Sequence, residues 1–179
     1  MGSPSAEMAL PPYTMMEGDF LSISSAISGL LEIIGTIGQT VEQLNDQPKP
    51  KHISPLGRAL GIESKTLRAT LRLLQRCLDD RQQKPERAAM IRVESLVVVL
   101  LDLVLLCDEL RSLTQRMKEE SEVVSETRVQ LFERHAGQLG PGTKRARLCT
   151  LIITAMTNIL LGYITLDGGN MSVMMMQPR

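Results

Sequence analysis

The most regular pattern in the chain is an apolar stripe near its beginning. Asp19 is a good helix N-cap, and apolar residues follow it at alternating steps of three and four positions. The stripe comprises Phe20, Ile23, Ile27, Leu30, Ile34, Ile37, Val41 and Leu44. Glu32 is the only charge between Phe20 and Val41, and Ser and Gly occupy much of the remaining surface. The spacing predicts one continuous helix, either a core helix with a small-residue seam or a helix that enters a lipid interface.

A second helix is predicted from an N-cap followed by proline, at Ser54 and Pro55. Its buried face comprises Leu67, Leu71, Leu74 and Leu78, and we expect the helix to end near Arg81. A basic stripe repeats every four residues on the outer side, at Arg68, Arg72 and Arg76. Such a stripe is either a solvated face or a contact for anionic headgroups or an acidic partner.

The longest predicted helix runs from Glu86 to about Lys118, after Pro85. Its segment 96–107 is apolar at every position except Asp102, but it is too short to span a bilayer. A helix that is apolar on all sides is typical of the centre of a bundle. We therefore expect this helix to be surrounded by the others, with Asp102 paired to an arginine of the second helix or a threonine of the last.

The last helix is predicted to begin at Thr143, after a break at Gly137, Gly140, Pro141 and Gly142. Its uncharged segment 148–166 is long enough for a membrane span, but its threonines favour a bundle helix. Together the patterns predict an all-α fold, a four- to five-helix bundle over 17–167 with a long central apolar helix. A disordered leader at 1–18 and a flexible tail at 168–179 flank it.

Composition narrows the classes of function. The 179 residues carry 20 basic and 20 acidic side chains, and only 2% are aromatic, so neither charge nor stacking favours nucleic-acid binding. Three widely spaced cysteines and two histidines form no pattern typical of a disulfide framework, a metal site or a catalytic triad. We therefore expect reduced thiols in a cytoplasmic protein, no enzyme activity, no catalytic residues, no metal and no cofactor.

One segment of the chain is similar to a known family. Residues 18–31, GDFLSISSAISGLL, resemble the start of the fungal N-terminal domains of STAND and NACHT proteins, and a Gly-Gly-Asn at 168–170 follows the last apolar helix as in that pattern. These domains belong to the HeLo-like group of α-helical bundles, which also includes short proteins of azaphilone pigment gene clusters. The resemblance implies a cell-death or membrane-perturbing role in which the first helix, 20–44, is the active part.

Three functions remain open at this stage. The first is a helical effector or adaptor that acts through its N-terminal helix on an anionic membrane surface, to which it is recruited, or on a partner protein. The second is an accessory protein of secondary metabolism that holds an apolar intermediate between helices. The third is a structural module that forms homo-oligomers, since the three-four spacing suits helix exchange between protomers.

Overall fold

The computed structural model of the protein describes residues 17–45, 54–79, 93–123 and 128–161, with the side chains of 17–21 left out. Five helices make up these ranges: α1 (Glu17–Asn45), α2 (Pro55–Asp79), α3 (Val93–Val123), α4 (Arg128–Arg134) and α5 (Ala136–Leu161). The described part is thus all-helical, which confirms the predicted fold class. The predicted flexible tail lies outside these ranges, as does the predicted leader except for the first two residues of α1.

Helices α1 and α2 form an antiparallel hairpin. The Ser54 carbonyl accepts a hydrogen bond from the Arg58 amide at 2.9 Å, as expected at a helix start. Lys65 of α2 pairs with Glu42 of α1 at 2.8 Å, whereas Gln75, further along α2, donates to Ser28, which lies earlier on α1, at 3.1 Å. The seam between the helices is narrow because small residues line it.

Helices α3 and α5 form a second antiparallel hairpin, with the short α4 between them. A Cβ built on Gly142 would lie 2.8 Å from Leu110 Cδ2, and Cys149 lies beside Asp102 further along. Helix α5 already begins at Ala136 and includes Pro141, so the predicted break at 137–142 is wrong. Pro141 is the sixth residue of α5, past the amides that need no helical partner, so it removes the hydrogen bond to the Gly137 carbonyl. Gly137 is exposed, so this carbonyl remains accessible to solvent.

The two hairpins pack against each other to form a four-helix bundle. Helix α1 packs on α2 and α3, and α5 packs on α2 and α3, so the four helices form a closed ring. Helix α4 closes one end, where Phe132 lies against Gly57 of α2 and Arg128 donates to the Gln43 carbonyl of α1 at 2.8 Å. The C-terminal ends of α1 and α3 therefore lie at the same end of the bundle, and these two helices run parallel to each other.

No helix occupies the centre of this ring. The segment 96–107 of α3 buries one face, but Val98 is 63% exposed, Leu101 59% and Leu105 63%. The prediction that this segment is surrounded on all sides is therefore wrong. The segment has an exposed side because four helices of similar length surround one core, and each of them therefore has one outward face.

The threonines of α5 are compatible with the core. The hydroxyl groups of Thr143, Thr150 and Thr157 are buried and donate to the carbonyl oxygen four residues earlier, at 2.7 to 2.8 Å. A buried hydroxyl group that is hydrogen-bonded in this way carries little penalty. The bundle-helix interpretation of the last apolar segment is confirmed for its part up to Leu161.

Candidate functional surface

The apolar stripe of α1 is buried in the bundle. Its members are at most 4% exposed: Ile23, Ile27, Leu30, Ile34, Ile37, Val41 and Leu44. Phe20 lies on α1, but its side chain is outside the described part. The stripe therefore packs as a core helix in this structure, and it offers no surface to a membrane or a partner unless α1 leaves the bundle.

The basic stripe of α2 lies on the surface. Arg68, Arg72 and Arg76 are exposed, and none of the three pairs with an acidic group among the described residues. The guanidinium of Arg68 covers Gly35 of α1, 3.5 Å from where a Cβ would be. The stripe thus borders the outside of the α1–α2 hairpin, where solvent or an anionic surface can reach it.

The apolar surface of the molecule is concentrated on the second hairpin. We call it the α3–α5 face and define it by its seven exposed hydrophobic residues: Val97, Val98, Leu101, Val104, Leu105, Leu148 and Leu151. On α3 they follow one another at helical spacing on the side opposite the core. The sequence pattern does not reveal this face, because it predicts that the segment 96–107 of α3 is buried on all sides.

A groove of about 350 Å³ lies between α3 and α5, and Val98 and Leu148 of the face line it. Asp102 and Arg145 lie inside it, with Arg145 Nη2 2.8 Å from Asp102 Oδ1, while Nη1 lies 3.2 Å from Glu109 Oε2. Cys149 donates from its thiol to Asp102 Oδ2 at 3.7 Å. Asp102 is paired as expected, but with an arginine of α5, not with α2 or with a threonine.

The surroundings of the groove favour the protonated forms of Arg145 and of the two nearby thiols. The hydrogen bond and charge of Asp102 raise the pKa of Arg145, which therefore stays protonated. Burial, followed by the charge of Asp102, raises the pKa of the Cys149 thiol, and burial raises the pKa of nearby Cys107 to about 12. Thiols that remain protonated are poor nucleophiles and poor metal ligands.

A second polar cluster lies where α3 meets the start of α5. Glu120 Oε2 lies 3.0 Å from His135 Nε2 and 3.4 Å from Arg134 Nη1. The hydrogen bond from His135 lowers the pKa of Glu120, which is exposed to solvent. The cluster ties the end of α4 and the residue that follows it to α3.

Comparison with known protein families, with characterised proteins and with solved structures finds no match to this chain. Within the described helices, no stretch is sufficiently long and apolar to cross a bilayer. The described residues also bring together no group of three or more His, Cys, Asp or Glu side chains that could hold a metal ion. The site has to be interpreted from its own geometry.

Proposed function

We propose that this protein is a non-enzymatic helical adaptor or effector domain that docks another protein through its α3–α5 face. The observation that carries the proposal is the extent of that face. Its seven residues are 36–63% exposed, and large exposed apolar patches are rare on soluble monomers. An apolar surface of this size on rigid helices is typical of a protein–protein interface.

The polar groups of the groove support binding in preference to a reaction. Asp102 and Arg145 satisfy each other, so neither is poised as a base or an acid. The thiol of Cys149 donates a hydrogen bond and has a raised pKa, which disfavours the thiolate that nucleophilic catalysis needs. These groups give the face a polar centre that a partner can recognise.

Site-specific photocrosslinking in cells tests the docking surface. We would place a benzophenone amino acid at position 101, on the face, and in a control variant at position 62. Leu101 and Ile62 are 59% and 56% exposed, but Ile62 lies on α2, outside the face. Adducts with a discrete protein from position 101 and not from position 62 are expected. The same adducts from both positions, or none from 101, would contradict the proposal.

A second candidate function is the membrane action of α1 that the family resemblance implies. The contacts along α1 and α2 favour it. Among the described residues, the polar contacts between these helices are the exposed Lys65–Glu42 ion pair and the hydrogen bonds that Gln75 donates to Ser24 and Ser28. Exposed pairs of this kind contribute little stability, so burial of the stripe is the main force that retains α1. The basic stripe on α2 remains available to anionic headgroups.

An engineered crosslink between α1 and α2 tests this second function. A Cβ built on Gly38 lies 4.0 Å from Ser64 Cβ, which suits a disulfide in the variant Gly38→Cys with Ser64→Cys. If α1 must leave the bundle, the oxidised variant loses flotation with phosphatidylserine vesicles and regains it on reduction. The single variant Ser64→Cys is the control. Equal flotation of the oxidised and reduced forms would rule out release of α1.

A further inference from the structure

We propose that the partner on the α3–α5 face is a second copy of this chain, in a dimer whose two-fold axis runs along the bundle. The inference rests on the proposed function, because it names the partner of the same face. Rotation about this axis keeps every residue at its own height along the bundle. It places α3 of each copy antiparallel to α5 of the other, and every contact occurs twice.

The positions of the apolar residues along the bundle axis suit this arrangement. Cys149 lies beside Asp102 within one copy, so Leu148 and Leu151 of α5 are level with Leu101 of α3. The axis keeps these levels, and Leu101 of one copy therefore faces the gap between Leu148 and Leu151 of the other. By the same register Leu105 faces Leu148. Large side chains then alternate along the interface as in other antiparallel helix pairs.

The charges at one end of the face are also complementary. Asp108 lies three residues after Leu105 on the same stripe of α3, and Lys144 lies four residues before Leu148 on the stripe of α5. Gly142 is level with Leu110, which brings these two charges to the same height. Asp108 bonds to Arg111 at 2.6 Å within its own copy, and Lys144 has no ion pair in the described part of the chain. The dimer gives Lys144 an acidic partner.

The exposed area of the face is available to a second copy. Its seven residues are 36–63% exposed, and they contribute apolar area toward the total of about 800 Å² that each partner buries in a standard interface. Asp108 and Lys144 border the face and are exposed, so they supply a charged rim, and the exposed Ala155 adds apolar area. Apolar surface with a polar rim is the usual anatomy of such interfaces, and here the Asp102–Arg145 pair adds polar groups in the groove.

Sedimentation equilibrium of the full chain tests the dimer. The intact protein is expected to sediment as a dimer, Leu101→Glu as a monomer, and the control Ile62→Glu as a dimer again. Circular dichroism checks that both variants fold, since both positions are exposed. A monomer at every concentration for the intact chain would overturn the proposal. Dimers that resist Leu101→Glu, or that Ile62→Glu disrupts equally, would place the interface elsewhere and overturn it too.

A charge exchange tests the arrangement of the two copies. Asp108→Lys alone juxtaposes two lysines at each contact, and Lys144→Asp alone juxtaposes two aspartates, so each variant is expected to lose most of its dimer at low salt. Mixed together, the two variants restore both contacts in the heterodimer. Native mass spectrometry should show heterodimers in excess of random pairing. Random pairing would overturn the two-fold arrangement.

Other occupants of the face give distinct results. If the chain is monomeric and position 101 crosslinks to a different protein, the proposed function stands and the second copy is excluded. If position 101 yields no adduct and Leu101→Glu instead abolishes vesicle flotation, the face binds lipid, and both proposals fail. If replacement of Met174, Met175 and Met176 by serine in the full chain converts a monomer into a dimer, the chain's own end covers the face, and the second copy is not the natural occupant.

Discussion

The two hairpins of the bundle are built alike on the inside and differ on the outside. In both, a regular stripe of aliphatic residues fills the core. The outer surface of the α1–α2 hairpin carries serine, glycine and the arginines Arg68, Arg72 and Arg76, whereas that of the α3–α5 hairpin carries the seven residues of the apolar face. The first hairpin thus meets solvent mainly with polar and small groups, apart from Ile62 and Leu73, whereas the second exposes a larger set of apolar side chains.

This difference shows when a sequence pattern indicates which side of a helix is buried. A stripe is visible in a sequence when the opposite side of the helix is polar or small, because the contrast indicates which side faces the core. Helix α1 has this contrast. Helix α3 lacks it over 96–107, so its pattern alone does not distinguish a surrounded helix from one with an interaction surface.

The largest expected effect is on the free energy of unfolding, and it distinguishes the buried side of α3 from its exposed side. Leu103 is 0% exposed, so Leu103→Ala should lower the free energy of unfolding by about 2–5 kcal/mol through lost burial and a cavity. Leu101→Ala, on the α3–α5 face, should change it by only about 0.5 kcal/mol in the monomer, as surface substitutions do. Urea denaturation at low protein concentration measures both. Equal losses would mean that the face is not exposed.

The next effect concerns the end where the two hairpins meet. A Cβ on Gly57 would lie 2.6 Å from Asn45 Oδ1 and 2.7 Å from Cζ of the buried Phe132 ring. Gly57→Ala should therefore destabilise the protein by about 1–3 kcal/mol. Gly61→Ala, whose Cβ would make an ordinary 3.7 Å contact with Val41, is the matched control. Thermal unfolding compares the two, and an unchanged Gly57→Ala variant would contradict this packing.

A smaller effect of opposite sign is expected within α1. Nothing lies within 4 Å of a Cβ built on Gly29, so alanine there gains helix propensity without a clash. Gly29→Ala should raise the free energy of unfolding by about 0.5–1 kcal/mol. If α1 acts by leaving the bundle, the same variant should also bind vesicles more weakly. A destabilised variant in chemical denaturation would show that the outer side of α1 is covered.

The smallest effect is a pH dependence at the base of the α3–α5 hairpin. The pKa of Glu120 is lowered from its ordinary value of 4.5, chiefly by the hydrogen bond from His135. A lowered folded-state pKa contributes stability above the ordinary value, which is lost as the pH falls through the lowered one. Glu120→Gln should therefore flatten the loss of stability below about pH 4.5, compared with Glu122→Gln as a control. Identical acid transitions would assign no role to this cluster.

Much of the fold could be predicted from the sequence, but little of the candidate surface could. The seven members of the α1 stripe with described side chains are buried, because their spacing and their small, polar neighbours indicate one direction. The predicted start of α5 at Thr143 is wrong, because the glycines and Pro141 that indicate a loop lie within the helix, and the packing of Leu139 and Gly142 in the core outweighs their local preference. The α3–α5 face depends on which helices are neighbours, and local periodicity does not encode that.

The ion pair between Asp102 and Arg145 has a consequence for solubility. An exposed apolar face on helices favours nonspecific association, and charges within or beside such a face oppose aggregation. Any molecule that covers the groove must remove water from both charges, which costs free energy unless it offers them polar contacts in return. A purely apolar surface therefore gains less free energy by binding here than the exposed leucines alone would suggest. The pair therefore disfavours nonspecific aggregation through the α3–α5 face more than it disfavours association with a molecule whose polar groups match both charges.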